Sequence, residues 1–264
     1  MQVTLGVEPS IFERYQLFLA GRDPLMIEDY RGQYANRGVV ELVLLQKALH
    51  LGGMVGNVTF KTGPNYGRLL KQLQAGDVDM LANSAWLSNL EQQIGDYYIS
   101  DAVIRDGQFE AGLYVLASRP ELQKVRTREQ IQNLTAVSNK HWHSDWQTLS
   151  ALNLKHLYNV AKWSSMLDMI RLQRADFFLA PFQVTPDLSF TNSGDVFVPI
   201  KGIKLGLRGS RHFVVSRQSK HADKLYLILQ KGVKQLHLQG EFEKAYQQAG
   251  FYNPAVAGWE KIAP

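Results

Sequence analysis

The first 86 residues of the chain alternate between strand-like and helix-like segments, and this order restricts the possible folds more than any other feature. A β-rich alternating run, Gln2 to Val7, precedes a helical run that stops at Gly52 and Gly53. A second strand, Asn57 to Thr62, a helix over Gly67 to Ala75 and a third strand follow. Strands that alternate with helices pair in parallel through right-handed crossovers. The sequence therefore predicts an α/β fold.

The third strand lies in the stretch LLKQLQAGDVDMLANSAW, residues 69–86. It begins as an apolar strand and ends on Asn83, Ser84 and Trp86. Ligands of open α/β sheets bind beyond the carboxyl ends of the strands, so a polar and aromatic strand end indicates a ligand site. Asn83 and Ser84 also fit a second interpretation, in which they cap a helix that begins near Ser88.

Residues Glu8 to Arg37 lack a clear hydrophobic period and contain several prolines, glycines and aromatic residues. This composition indicates a long ordered loop or a small insertion rather than a regular element. The sequence leaves its role open between a lid over a ligand and a surface for a partner.

A second α/β unit begins near Phe109 with the apolar strand FEAGLYVLAS. Thr127 with Gln130 and Ser144 with Gln147 have the spacing of capping boxes, and each pair predicts the start of a short helix. The later segment DMIRLQRADFFLAPF is similar to the LKQLQAGDVDMLANSA segment of the first unit. This weak similarity suggests that the chain builds the same α/β unit twice.

The end of the chain predicts two strands in GIKLGLRGSRHFVVSRQ and then a pair of amphipathic helices. Such a helical pair packs most easily on the first half of the chain. We therefore expect two lobes, residues 1–106 with 217–264 and residues 107–216, connected by two crossovers.

Composition excludes several classes of protein. The 29 basic and 24 acidic residues are spread along the chain, whereas nucleic-acid binding needs clustered cations with stacking aromatics. No apolar run reaches the roughly 18 residues that a membrane helix needs. The absence of cysteine removes disulfides, zinc–thiolate sites and cysteine nucleophiles. We therefore expect neither nucleic-acid binding nor embedding in a membrane.

The order of elements resembles the bacterial extracellular solute-binding proteins of the polar amino-acid branch, which have the type II periplasmic-binding fold. The segments that carry the resemblance are LVLLQKALHL, GPNYGRLLKQLQAGDVDML, DYYISDAV, ADFFLAPF and LQKGVKQLHLQGEFEKAYQQAGF. The resemblance implies two lobes, each a mostly parallel sheet flanked by helices, with a hinge that closes over a small solute. It also implies a monomer without cofactor, and a membrane permease of the ABC type or a sensor protein as partner.

The N-terminus runs straight into a strand without a basic and apolar leader. The chain is then either cytoplasmic or secreted after removal of a signal peptide. The resemblance favours a periplasmic location with the signal peptide removed.

Two departures from the family pattern bear on the ligand. Amino-acid binders of this branch usually hold the ligand carboxylate with an Arg on the helix after the third strand, but SAWLSNLEQQIGD contains none. They usually offer an acidic residue to the ligand amine at the end of the return strand, where this chain has Pro181. We therefore expect a ligand other than an ordinary α-amino acid.

The predicted ligand contacts are polar or aromatic residues at strand ends and in the turn NKHWHSDW. They are Tyr66, Asn83, Ser84, Trp86, Trp142, His143, Ser144 and Phe182. Tyr66 fits equally well a packing role on its own helix. We expect Trp142 to line the cleft and the helix at Ser144 to offer N–H groups to a polar or anionic group. The turn spacing of His141 and His143 lacks the helical arrangement of a zinc pair, so no metal is expected.

Two other functions remain open at the level of sequence. An enzyme on the same scaffold, such as a lyase or dehydratase, would need a poised carboxylate or imidazole, for which Asp106, Glu110, Glu91 and His143 are candidates. A signalling relative with a decayed cleft is compatible with the missing amino-acid clamp. No catalytic triad order, phosphate loop or paired-carboxylate spacing is evident, so we expect a binding protein rather than an enzyme.

Overall fold

The computed structural model describes residues 1–263. These residues form two compact units: unit 1 comprises residues 1–104 and 210–252, and unit 2 comprises residues 105–209 and 253–263. The helices are α1 (Pro9–Leu19), α2 (Arg37–Leu51), α3 (Tyr66–Ala75), α4 (Arg128–Gln132), α5 (His143–Ala151), α6 (Trp163–Arg171), α7 (Ala222–Leu238) and α8 (Glu241–Gln248). No helix within this part of the chain is both long and apolar enough to span a membrane.

The strands alternate with these helices in the first half of each unit. They are β1 (Gln2–Val7), β2 (Asn57–Thr62), β3 (Met80–Leu81), β4 (Ala85–Trp86), β5 (Tyr97–Ile104), β6 (Glu110–Leu116), β7 (Thr135–Ser138), β8 (His156–Asn159), β9 (Phe178–Ala180), β10 (Phe190–Asn192), β11 (Asp195–Pro199), β12 (Ile203–Gly206), β13 (Arg211–Ser216) and β14 (Glu260–Ile262). The α/β class predicted from the sequence is confirmed.

Unit 1 contains a mixed sheet with the strand order β2-β1-β3-β13-β4, and β5 also pairs with β13. Strand β1 runs parallel to β2 and β3, as the alternation of strands and helices predicts. Strand β13 runs antiparallel to β3, β4 and β5 because the chain returns from unit 2 in the opposite direction. All six residues of β13 are buried, so this strand forms the centre of the sheet.

Unit 2 contains a second mixed sheet with the strand order β10-β11-β6-β12-β14. Strand β9 belongs to the same sheet and pairs with β6. Strands β10 and β11 form a tight hairpin in which Ser193 and Gly194 both have positive φ, as a two-residue hairpin loop requires. Parallel pairing, predicted for most of each sheet, is confined here to β12 with β14, β7 with β8, and a bridge between Ala136 and Phe177. The antiparallel remainder consists of the β10–β11 hairpin and of β6, which runs antiparallel to β9, β11 and β12.

The boundaries of the two units along the chain differ from those of the predicted lobes. Strand β13 pairs within unit 1, although the predicted division placed residues 211–216 in the second lobe. The segment from residue 253 onward belongs to unit 2, because β14 pairs with β12 and Lys204 Nζ donates to the carbonyl of Val256 at 2.8 Å. The chain therefore passes between units three times, after residues 104, 209 and 252.

A repeated hydrogen-bond pattern links the two predicted copies of the α/β unit. In unit 1 the Asp79 carboxylate accepts from the backbone N–H of Thr4 at 2.7 Å. In unit 2 the Asp176 carboxylate accepts from the backbone N–H of Thr135 at 2.8 Å. Each Asp thus ties the start of one strand, β3 or β9, to an earlier strand of its unit, β1 or β7, which supports the internal repeat.

The segment over residues 8–37 contains a regular helix, α1, which the sequence analysis missed. Pro9 occupies its first turn, where the missing N–H of proline costs nothing. The helix buries only Tyr15 and Phe18, so its hydrophobic period is weak. Tyr15 accepts a hydrogen bond from Gln46 of α2 at 2.7 Å, which fixes the insertion to unit 1.

Helices α2 and α7 cross closely within unit 1. A Cβ atom built on Gly232 of α7 would overlap the carbonyl oxygen of Ala48, and one on Gly52 would overlap that of Ile228. The two glycines therefore allow backbone-to-backbone approach that no other residue permits.

Candidate functional site

The carboxylate of Glu41 lies at the centre of a buried polar network in unit 1. Glu41 is on α2 and is fully buried. Its Oε1 accepts from Arg37 at 2.8 Å, from the Ser84 hydroxyl at 2.7 Å and from the Tyr246 hydroxyl at 3.3 Å. Its Oε2 accepts from the backbone N–H of Ser84 at 3.1 Å and from the Asn83 amide at 3.2 Å.

Two of the predicted ligand residues, Asn83 and Ser84, donate their hydrogen bonds to this network. The Asn83 amide also donates to the carbonyl of Gly38 at 2.8 Å, and Ser84 is fully buried. Neither residue caps a helix, since the 3₁₀ turn that follows starts at Leu87 without a side-chain cap. Asn83 and Ser84 therefore fix the strand end to α2 instead of presenting free donors.

Glu41 stays ionised in this network. Burial acts to raise its pKa, but Arg37, Arg211 and the two hydrogen bonds from Ser84 together hold the pKa below its ordinary value. Five hydrogen bonds to one carboxylate satisfy the acceptor capacity that a buried anion requires.

Arg211, the first residue of β13, lies against this network with 6% of its surface exposed. Its Nε donates to the Ser84 hydroxyl at 3.0 Å, and its Nη2 donates to the Ser84 carbonyl. The guanidinium carbon lies 4.9 Å from the centre of the half-buried Trp86 ring. None of residues 1–263 forms an ion pair with Arg211 within 4.0 Å.

Burial, aided by repulsion from Arg37, lowers the pKa of the Arg211 guanidinium to about 10. A buried charge is normally paired with an opposite charge, because removing it from water is costly. Arg211 instead contacts a serine hydroxyl, a carbonyl and an aromatic face, and it shares the attraction of the Glu41 carboxylate with Arg37, which forms the direct ion pair. This arrangement can attract an anion to the Trp86 side of the strand end.

Tyr66 lies at the first position of α3 and packs on the cluster that contains Leu69 and Leu73 of the same helix. The packing interpretation of Tyr66 is thus present in the structure. Burial raises the pKa of its hydroxyl, whereas the nearby Arg211 acts in the opposite direction, so the two groups share one electrostatic environment.

In unit 2 an aromatic pair lies at the strand ends. The rings of Trp142 and Trp163 are 6.1 Å apart, and the two residues are 38% and 39% exposed. Trp163 packs edge-on against Phe178 of β9 at 5.1 Å. Asn139 holds the turn before Trp142, because its side chain accepts from His141 and donates to the carbonyl of Ala161. The pair therefore offers a fixed, half-exposed aromatic surface.

The start of α5 differs from the predicted capping box. The helix begins at His143, which is exposed, and its N-cap is Trp142 without a side-chain cap. Ser144 lies inside the first turn and is 2% exposed, and its hydroxyl has no hydrogen-bond partner among residues 1–263. The Thr127 and Gln130 capping box, in contrast, is present at α4.

Phe182 is 8% exposed and packs in a small cluster with Leu188, Val256 and Trp259. Its ring meets that of Trp259 edge-on at 5.4 Å. The side chain therefore contributes to the core of unit 2, where the C-terminal segment covers it.

The comparisons with known proteins identify the fold. No protein-family model matches the chain, and no curated protein is significantly similar to it in sequence. A probable amino-acid ABC transporter extracellular-binding protein from Bacillus subtilis matches with a TM-score of 0.59 at 14% identity, over 93% of this chain and 95% of that one. The fold is the type II periplasmic-binding fold.

Two further structures with this fold match the chain. The amino acid ABC transporter substrate-binding protein AbpA from Streptococcus pneumoniae, bound to L-arginine, matches with a TM-score of 0.54 at 14% identity, over 98% and 97% of the two chains. The unliganded, open L-cystine solute receptor of Neisseria gonorrhoeae matches with a TM-score of 0.50 at 18% identity, over 94% and 91%. The resemblance stated from the sequence is confirmed.

On this periplasmic-binding fold the sequence analysis missed the charged residues of the unit 1 network, Arg37, Glu41 and Arg211. One signal was available, since Glu41 interrupts the otherwise apolar run VVELVLL on a helix. Such a lone charge needs a buried partner. Arg211 lies in RGSRHF, a run whose Arg208, Arg211 and His212 fit an anion site but whose default interpretation is a solvated surface, so it was not among the predicted contacts.

Proposed function

We propose that the chain is an extracellular or periplasmic solute-binding protein that binds a small anionic solute and passes it to an ABC-type permease or a sensor protein. The fold match over more than nine-tenths of several such proteins supports a binding protein rather than an enzyme. The observation that carries the proposal is the buried Arg211, which lacks an ion pair among the described residues and faces a half-buried Trp86.

The geometry of Arg211 favours an anionic group next to a flat apolar group. Its Nε–H and one N–H of Nη2 are bonded to Ser84, so both N–H groups of Nη1 and the second N–H of Nη2 remain as donors to a solute. The Trp86 ring can stack on a planar part of the same solute. An ammonium group is not needed for this binding, which agrees with the expectation of a ligand other than an ordinary α-amino acid.

The proposed site consists of the predicted residues together with Arg211, and these residues have two roles. In unit 1 the solute contacts Tyr66, Trp86 and Arg211, while Asn83 and Ser84, whose donors are bonded to α2, support them from behind. In unit 2 the exposed Trp142 and His143 offer contacts, while the buried Ser144 and Phe182 support them.

A thermal-shift screen tests the proposal directly. The probes are benzoate, phenylacetate, indole-3-acetate and short aliphatic carboxylates, each beside its neutral amide, together with L-phenylalanine and L-arginine. We expect at least one carboxylate to raise the melting temperature while its amide does not, because only the carboxylate supplies a counter-ion to Arg211.

Arg211→Gln should abolish that stabilisation, measured relative to the variant's own melting temperature. Arg208→Gln is the matched control, because it removes the same charge from an exposed position three residues away. Equal shifts from carboxylates and amides, no shift from any carboxylate, or full binding by the Arg211 variant would each contradict the proposal.

A further inference from the structure

A cavity of about 280 Å³ lies wholly within unit 1. The insertion before α2, the last turn of α2 and the junction of α7 with α8 form its walls. Leu25, Leu51 and Leu236 give it an apolar lining from three separate elements. A volume of this size accommodates a small organic molecule.

Lys47 and Glu241 form the polar floor of this cavity, and the buried Tyr30 completes a preorganised triad behind them. Lys47 Nζ donates to the Ile27 carbonyl, to the Tyr30 oxygen at 3.0 Å and to Glu241 Oε1 at 2.9 Å, which uses all three of its protons. The Tyr30 hydroxyl donates to the same Oε1 at 2.6 Å. The triad therefore presents no free donor to the cavity.

Glu241 keeps acceptor capacity on its other oxygen. Burial acts to raise its pKa, but the hydrogen bonds from Tyr30 and Lys47 hold the pKa below its ordinary value, so the group is ionised. Lys244 Nζ lies 3.8 Å from Oε2, which is longer than a hydrogen bond. Lys244 is 43% exposed, so it can move away without a cost of burial.

The other polar groups of the lining comprise both acceptors and donors. Glu28 contributes a carboxylate and Gln239 an amide oxygen and an amide N–H₂, and both residues are exposed at the mouth. His50 and Lys244 add donors, and both are exposed as well. Glu241 Oε2 is the acceptor that lies deeper, so a positively charged group that donates hydrogen bonds complements this end of the cavity.

We propose that this cavity is a second ligand site, which binds a primary organic ammonium with a short apolar chain. The ammonium donates to Glu241 Oε2 in place of Lys244, and the chain packs on the three leucines. The site is separate from the proposed solute site and gives the insertion a role as one wall of a binding pocket.

The experiment uses n-pentylamine as the probe and 1-pentanol, which has the same chain without the charge, as its control. Isothermal titration at pH 7.5 should detect n-pentylamine binding and a weaker or undetectable signal from 1-pentanol. Glu241→Gln should weaken n-pentylamine binding about tenfold, the change expected from the loss of one charge-assisted hydrogen bond.

Lys244→Met is a second variant that does not depend on the stability of the triad. It removes the competing cation, so it should bind n-pentylamine several-fold more tightly than the parent chain does. Equal binding of the alcohol and the amine, or weaker amine binding by Lys244→Met, would overturn the proposal. Arg211→Gln should leave n-pentylamine binding unchanged, which separates failure of this site from failure of the proposed solute site.

Discussion

At the scale of single residues, the stability of unit 1 depends on Glu41 keeping all its partners. The carboxylate accepts from side chains that lie 4, 42, 43 and 205 positions away along the chain. Two guanidinium groups, from Arg37 and Arg211, lie in the same buried region. Removing the carboxylate would leave these positive charges without compensation, which typically costs several kcal/mol.

Glu41→Gln should therefore lower the free energy of unfolding by about 3 kcal/mol, although the side chain keeps its shape. Urea denaturation followed by circular dichroism measures the change. Glu243→Gln removes the same charge from the exposed surface of α8 and should change stability by less than about 0.5 kcal/mol. A loss for Glu41→Gln no larger than that of the control would show that the network does not stabilise the fold.

Asp145 in the first turn of α5 makes stability depend on pH. Burial raises the pKa of its carboxyl to about 6. The unfolded carboxyl titrates near 3.9, so the folded chain binds the proton more tightly, and ionisation of Asp145 costs stability above pH 6. Below about pH 4 both states are protonated and the cost disappears.

Asp145→Asn should therefore raise the free energy of unfolding at pH 7.5 by about 1 to 2 kcal/mol and leave it nearly unchanged at pH 4. Urea denaturation of both chains at the two pH values measures the difference. A gain of the same size at both pH values would show that the effect does not come from titration of this carboxyl.

The candidate site shows which of its features can be predicted from sequence patterns and which cannot. The polar strand end at Asn83 and Ser84 was identified because local order along the chain predicts it. Its actual partners, Glu41 and Arg211, lie 43 and 127 positions away from Ser84, and no periodicity connects them. Prediction of the strand end therefore succeeded, while prediction of what its side chains bind to did not.

At the scale of elements, the crossing of α2 and α7 depends on its two glycines. Gly232→Ala should lower the free energy of unfolding by about 2 kcal/mol or more, because its Cβ would overlap the backbone of Ala48. This loss would outweigh the roughly 1 kcal/mol that alanine gains over glycine inside a helix. Chemical denaturation gives the result.

Gly67→Ala in α3 is the matched control, because a Cβ there meets Asn65 at an ordinary distance of 3.7 Å. It should be neutral or slightly stabilising. Similar effects of the two substitutions would indicate that helix propensity, rather than the close approach of α2 and α7, determines the outcome.

The elements with strong local patterns were predictable from sequence, and those fixed by tertiary contacts were not. Strands β1 and β2 were predicted to the residue, since both have alternating β-branched sequences bounded by turns. Helix α1 was missed because it buries only one narrow side against α2. The capping box predicted at Ser144 did not form, because that side chain is buried within the helix.

At the scale of the whole molecule, the segment after residue 252 completes unit 2. Strand β14 pairs with β12, Val256 packs on Phe182, and its carbonyl accepts from the buried Lys204. The predicted division missed this return, because amphipathic helices directly before it belong to unit 1.

Truncation after Tyr252 should therefore destabilise unit 2 selectively. Hydrogen exchange followed by mass spectrometry should show faster exchange in β6 and β12, while β1 and β2 keep the protection that they have in the full chain. Replacement of Glu260, which is exposed in β14, by alanine is the control and should leave exchange in β6 and β12 almost unchanged. Equal loss of protection in both units would contradict an independent role for the segment.

The position of β13 in the centre of the unit 1 sheet has a consequence for biosynthesis. A ribosome makes Arg211 to Ser216 only after all of residues 105–209, which takes on the order of 10 seconds. During that interval β5 lacks its partner β13, and one edge of β3 is uncovered. The sheet of unit 1 can therefore be completed only after the chain of residues 105–209 has left the ribosome.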